Sequence, residues 1–209
     1  MLQYATIYPN TLECLKEVMK LDALSDFCLV GGTALALQLG HRISVDLDLF
    51  SQNDFTPMVL HQKIQKQLTN KKIAFIRSEE NTLNLHIDNI KTDIITFPYP
   101  LLKPLNIIDN IRLMSIPDIA AAKLSAISNR GAKKDFIDMY FILKQYKLEE
   151  IFNFFEQKFN IKIGLHQIKS LVYFRDAERQ PDALMLNDVS WNQVKVTITQ
   201  IVDAYLNKQ

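Results

Sequence analysis

Apolar residues along this chain recur with two different periods, and the switches between them outline its elements. Leu12, Leu15, Val18 and Met19 fall on one helical face, behind Pro9 and the capping-box sequence Asn10–Glu13. Phe27–Val30 is an unbroken apolar run and reads as a buried strand. Thr33–Leu39 reads as a short helix that stops near Gly40. From Val45 to Phe50 the period becomes two: Val45, Leu47 and Leu49 point one way, Asp46 and Asp48 the other. Thr56–Leu68 fits a helix with Pro57 in its first turn. Ile73–Arg77, Thr82–Ile87 and Lys91–Phe97 read as strands, with Asp88 and Asn89 as a tight turn before the last.

Beyond about residue 105 the pattern is helical. Ser115, Pro117 and Asp118 carry a cap, a first-turn proline and an acidic third position, and the helix they open stops at Gly131. Asp135–Lys147, Leu148–Phe159, Leu165–Phe174 and Trp191–Leu206 add further helices, with a polar connection over Arg175–Asn187. The expected class is α+β: a mixed sheet with flanking helices over residues 1–105, then a helical region over 106–209 packed on it. No linker, repeat or low-complexity segment separates the two, so one continuous domain is also compatible with the pattern.

Composition adds mainly exclusions. With 48% hydrophobic and 22% charged residues and a net charge of +1, the 209-residue chain has no global footprint for indiscriminate nucleic-acid or membrane binding. Cys14 and Cys28 lie in apolar patterns without metal or redox spacing and read as buried hydrophobes. The first ten residues lack the features of a signal peptide, and no apolar stretch approaches the ~20 residues of a membrane span. The expected location is the cytoplasm.

The candidate chemistry concentrates between Val30 and Ser51. Only 5 glycines occur in the chain, and Gly31 and Gly32 place two of them side by side at a strand-to-helix turn. Backbone N–H groups there, unobstructed by side chains, suit phosphate oxygens, and Thr33 adds a hydroxyl. Asp46 and Asp48 on one strand face repel each other unless a cation lies between them. Asp93 shares a strand face with Lys91 and Ile95 in a strand expected to join the same sheet. Three carboxylates around two Mg²⁺ ions could activate an acceptor hydroxyl and steady a leaving pyrophosphate. Arg42 lies between turn and aspartates, and Lys123 and Arg130 lie two turns apart on one helix face, where they could neutralise a triphosphate.

These segments, in this order, resemble the AbiEii-type nucleotidyltransferases: Gly31–Leu35, His41–Phe50, Lys91–Ile94 and Lys123–Asp138. This family supplies toxins of bacterial abortive-infection and toxin–antitoxin systems, within the DNA polymerase β-like superfamily. The resemblance spans roughly residues 8–145. It implies a nucleotidyltransferase core in which Asp46, Asp48 and Asp93 bind metal and act in catalysis. It also implies that Gly31, Gly32, Thr33, Arg42, Ser44, Lys123 and Arg130 hold the NTP. The acceptor it implies is a tRNA 3′ end or a protein hydroxyl, and a cognate antitoxin is an expected partner. Gly32-Thr33 and the long gap to Asp46 depart from the superfamily's Gly-Ser pattern but agree with this subgroup.

Other readings compete at particular residues. Asp135 suits a helix N-terminus, and Asp138 could pair with Lys134; the resemblance leaves a site role open for both. Tyr140, Phe141, Phe152, Phe154 and Phe155 recur at helical spacing and are expected in the core. For the whole chain, two alternatives share parts of this pattern: a non-catalytic nucleotide-binding interaction protein, and a small-molecule nucleotidyltransferase of the aminoglycoside-modifying type.

Overall fold

The computed structural model describes residues 1–208. The chain divides into two compact units, Met1–Pro100 with Pro104–Met114, and Leu101–Lys103 with the segment from Ser115 onward.

The first unit is a seven-stranded mixed sheet with helices. Its strands are β1 (Cys28–Leu29), β2 (Leu47–Ser51), β3 (Ile73–Glu79), β4 (Thr82–Ile87), β5 (Ile90–Thr96), β6 (Asn106–Ile108) and β7 (Ile111–Leu113). Their order across the sheet is β3-β4-β5-β2-β1-β7-β6. β2 pairs β5 in parallel, and β1 pairs β7 in parallel; the other neighbours are antiparallel. Helices α1 (Pro9–Val18), α2 (Gly31–Leu39) and α3 (Pro57–Gln67) complete the unit. Alternation sorts the central strands: Leu47 and Leu49, Leu83 and Leu85, and Ile94 are fully buried. The intervening residues Asp48, Asn84 and Asp93 are therefore carried on the opposite face.

Most elements match the periodicity, and the exceptions have local causes. In α1, Pro9 takes the first turn and Tyr8 the cap, so Asn10 and Glu13 already lie within the helix and form no capping box. The β4–β5 turn places Asp88 and Asn89 at positive φ, as the tight Asp-Asn connection requires. β6 and β7 carry no periodic signal because each is only three residues long; Asp109 and Asn110 turn between them at positive φ. β2 begins at Leu47 rather than Val45, whose side chain is 47% exposed. Asp46 therefore precedes the strand instead of sharing its pleat with Asp48.

The second unit is helical: α4 (Ile116–Arg130), α5 (Lys133–Ile142), α6 (Leu148–Phe159), α7 (Leu165–Ser170) and α8 (Trp191–Leu206). Ser115 caps α4 by accepting from the Asp118 N–H, and Gly131 ends it in the left-handed region at φ +52°. α5 starts two residues earlier and stops five earlier than its apolar pattern, and α7 ends at Ser170 rather than Phe174. Tyr140, Phe141, Phe152 and Phe155 are buried, as the helical spacing predicts, and Phe154 is half-buried. Asp118 is fully buried and held by Lys158 Nζ at 2.7 Å, by the Ser115 hydroxyl and by the N–H groups of Leu102 and Lys103. The two backbone hydrogen bonds to Asp118 tie the short Leu101–Lys103 segment to the helices.

Candidate active site

Gly31 stands at the turn from β1 into α2 with φ +66°, a region L side chains rarely adopt. A Cβ there would lie 2.6 Å from Asp48 Oδ2. Glycine is thus demanded twice, once by the backbone and once by the carboxylate resting against it. The Val30 N–H donates to the Asp48 carbonyl at 2.9 Å, joining turn and strand directly. The N-cap residue of α2, Val30, has no side chain that could accept from its first turn, over Gly31, Gly32 and Thr33. A helix N-terminus of this kind carries the partial positive charge that anions seek.

Thr33 is buried, and its hydroxyl donates to the Asp46 carbonyl at 2.5 Å. With its one proton committed there, Ser44 Oγ, 2.8 Å away, donates to Thr33. The Ser44 N–H in turn donates to the Thr6 carbonyl at 2.8 Å. Thr33 and Ser44 together fix the loop that delivers Asp46 to the start of β2. Arg42 is buried in this loop, and its Nη1 donates to the Ile43 carbonyl at 3.0 Å.

Asp48 and Asp93 are register partners on the parallel pair β2 and β5. The row continues across the sheet, because Asp93 faces Asn84 on β4 and Asn84 faces Arg77 on β3. Asn84 Nδ2 donates to Asp93 Oδ1 at 2.6 Å, and Arg77 Nε donates to Asn84 Oδ1 at 3.0 Å. Lys91 Nζ donates to Asp93 Oδ2, also at 2.6 Å. The Asp93 hydrogen bond holds the Lys91 ammonium above its ordinary range; burial opposes this, and the charges of Asp93, Asp46 and Asp48 reinforce it.

Among the described residues, no three His, Cys, Asp or Glu side chains form a group placed to hold a metal ion. Both Asp93 oxygens are engaged by Asn84 and Lys91. The donor set nevertheless fits a hard cation: it consists of carboxylate oxygens, and a side-chain cation already sits on one of them. Asn84, Lys91 and Arg77 received no role from the sequence. The alternation in β4 and β5 places Asn84 and Lys91 on polar faces, but only the register shows that they meet Asp93.

In the helical unit, Lys123 and Arg130 converge on Asp135. Lys123 Nζ lies 2.8 Å from Asp135 Oδ1 and 2.5 Å from Asp138 Oδ2, with side-chain exposures of 6% for Lys123 and 0% for both aspartates. Arg130, 60% exposed, adds Nε at 2.8 Å from Oδ2 and Nη2 at 3.1 Å from Oδ1 of Asp135. Burial alone would raise the Asp135 carboxyl, but Lys123 and Arg130 outweigh it and hold it below its ordinary 3.8. Asp138 thus pairs with Lys123 of α4, where the sequence spacing offered Lys134.

Residues 14–205 match the family model described as "Nucleotidyl transferase AbiEii toxin, Type IV TA system". The chain belongs to this family. An uncharacterized protein of Aquifex aeolicus (strain VF5) is 33% identical over 203 residues, covering 93% of this chain and 95% of that protein. The crystal structure of JHP933 from Helicobacter pylori is 20% identical and covers 97% of this chain and 94% of its own, with a TM-score of 0.61. A second H. pylori chain, provisionally assigned as a nucleotidyltransferase, is 18% identical, with coverages of 97% and 99% and a TM-score of 0.57. At these identities the two structures support the fold.

As an AbiEii-family nucleotidyltransferase, the chain takes an NTP as substrate. Its first unit brings Gly31, Thr33, Ser44, Asp46, Asp48 and Asp93 into one neighbourhood of turn, loop and paired strands. Lys123 and Arg130 form their own cluster in the second unit. No helix among the described residues is long and apolar enough to cross a membrane.

Proposed function

We propose that this AbiEii-family protein transfers a nucleoside monophosphate from an NTP to an acceptor hydroxyl, releasing pyrophosphate. The observation that carries the reading is the register pair Asp48 and Asp93 beside the Gly31 turn. Asp46, Asp48 and Asp93 are the residues that would hold Mg²⁺, two ions in the full arrangement. Bound there, Mg²⁺ would supply charge stabilisation for the triphosphate and lower the pKa of the attacking hydroxyl. Asp93 would stand beside the acceptor hydroxyl in this arrangement and assist loss of its proton. The first turn of α2, at Gly31 and Gly32, where the N-cap Val30 supplies no side-chain acceptor, receives triphosphate oxygens. Thr33 and Ser44 act by holding the Asp46 loop, since the Thr33 proton is spent on the Asp46 carbonyl. Arg42 contributes positive charge within that loop, while Lys123 and Arg130 are committed to the aspartates of their own unit.

The acceptor class that the resemblance supports is a tRNA 3′ end or a protein hydroxyl. Membership in a toxin–antitoxin family makes a cognate antitoxin part of the same reading. The test is incubation of the protein with each labelled NTP, Mg²⁺, total RNA and cell protein, beside folded Asp48→Asn and Asp93→Asn variants. Label should enter one macromolecular fraction with the wild type and fall at least about a hundredfold with either variant, the scale on which removing a charge-stabilising group acts. Equal labelling by all three proteins, or none across all acceptors, overturns the reading.

A further inference from the structure

Asp93 has two partners of different character. Asn84 is the fixed one: its Nδ2 reaches Asp93 Oδ1 at 2.6 Å while its own Oδ1 accepts from Arg77 Nε. The amide is therefore oriented from both ends, and it pins one carboxylate oxygen. Lys91 is the loose one. It reaches Oδ2 at 2.6 Å from two residues away on the same strand, and its side chain is 53% exposed against 15% for Asp93. An ammonium on a flexible four-carbon stem, already half in water, can leave at little cost. An exposed ion pair of this type adds little stability, so fold maintenance does not account for it well. What it does relieve is repulsion, because Asp48 lies directly opposite Asp93 and both carboxylates require a nearby positive charge.

We propose that Lys91 is a displaceable counter-ion of the carboxylate site: it occupies Asp93 Oδ2 until a divalent cation takes that oxygen, and so sets the cation concentration at which the site fills. The inference rests on the metal-binding reading of Asp48 and Asp93. Ammonium and metal compete for one oxygen, because two positive charges at hydrogen-bond distance from the same atom repel each other. Asn84 keeps Oδ1 throughout, so Asp93 need not reorient when Lys91 departs. Lys91 thereby balances the charge of the metal-free site and is a positioning residue for Asp93, not a catalytic one.

Calorimetric titration of the full chain with Mn²⁺, without NTP, tests this on the wild type, Lys91→Met, Lys91→Arg and Asp48→Asn. Lys91→Met is expected to bind Mn²⁺ about fivefold more tightly, the scale of an exposed ion pair removed from competition. Lys91→Arg keeps the charge and should stay near the wild-type value. The metal-free thermal midpoint of Lys91→Met should stay close to that of the wild type, and a given Mn²⁺ concentration should raise it further than it raises the wild type. Where Lys91→Met does not fold, Lys91→Gln carries the same comparison. Binding that is lost in Asp48→Asn but has the same or weaker affinity in the neutral Lys91 variants overturns the role of Lys91 alone. Equal tightening in Lys91→Arg overturns it too, since the effect would not follow charge. No wild-type binding sensitive to Asp48→Asn overturns the metal-site reading and this inference together.

Discussion

The Asp48 carboxylate occupies the space that a side chain at residue 31 would need: a Cβ on Gly31 would lie 2.6 Å from Asp48 Oδ2. The contact makes turn and carboxylate one unit, and it gives Gly31 a role that its conformational freedom alone would not.

Gly31→Ala should therefore act in two separable ways. An L residue at φ +66° costs about 1–2 kcal/mol, which denaturant unfolding would read as a modest loss of stability. The Asp48 carboxylate, at the end of a short flexible side chain, would turn away from the methyl group. NTP labelling should then fall by much more than the stability loss explains when both proteins are assayed well below their unfolding transitions.

Thr33→Val should weaken the loop that carries Asp46. The substitution keeps the shape but removes the hydroxyl that joins Ser44 Oγ to the Asp46 carbonyl. Leaving these buried groups without their partner costs about 1–3 kcal/mol, measurable as a lower urea midpoint. Thr33→Ser retains the hydroxyl and should stay closer to the wild type.

Lys123→Met should be among the more destabilising single changes in the helical unit. It strips the ammonium from Asp135 and Asp138, both at 0% side-chain exposure, and breaking a buried pair by removing one partner costs about 3–5 kcal/mol. Arg130→Met removes a guanidinium that is 60% exposed and leaves Lys123 on Asp135, so its cost should be clearly smaller. Chemical denaturation of the two variants in parallel checks the order; equal costs would show that Lys123 is not the main support of these aspartates.

Asp135 also predicts an acid response. Its folded pKa is depressed, so the stability it contributes is fully present above the unfolded value of 3.8 and is lost as pH falls through the lower folded value. Urea midpoints measured from neutral pH downward should decline once pH passes below 3.8. Asp135→Asn, though less stable at neutral pH, should show a shallower decline over that window. An unchanged slope in the variant would assign the acid sensitivity to other carboxylates.

Much of this was legible from residues alone, and the exceptions are instructive. Lys91, Asp93 and Ile95 do share the polar face of β5, as the period-two pattern predicts. The alternation from Val45 to Phe50 instead suggested that Asp46 and Asp48 share a pleat, whereas the strand starts at Leu47. Its pairing with β5 begins at Leu47 opposite Thr92, and the Asp46 carbonyl is taken by the Thr33 hydroxyl. The local pattern could not reveal that, because the partner strand and the buried threonine lie elsewhere in the chain. Asp138 is similar: sequence spacing offered Lys134, while helix packing supplied Lys123.

The sequence by itself determined most element types, though not the short strands β6 and β7, together with the class, the family resemblance and which residues could carry chemistry, because periodicity, turn residues and caps act over a few neighbouring positions. The tertiary structure alone decided that Asp48 stands opposite Asp93, that Asn84 and Lys91 divide the two Asp93 oxygens, and that Lys123 is buried between two aspartates. Register and packing bring distant residues together, and a one-residue slip in a strand would reverse the face of every side chain on it. That sensitivity is why the carboxylates were visible in the sequence and their partners were not.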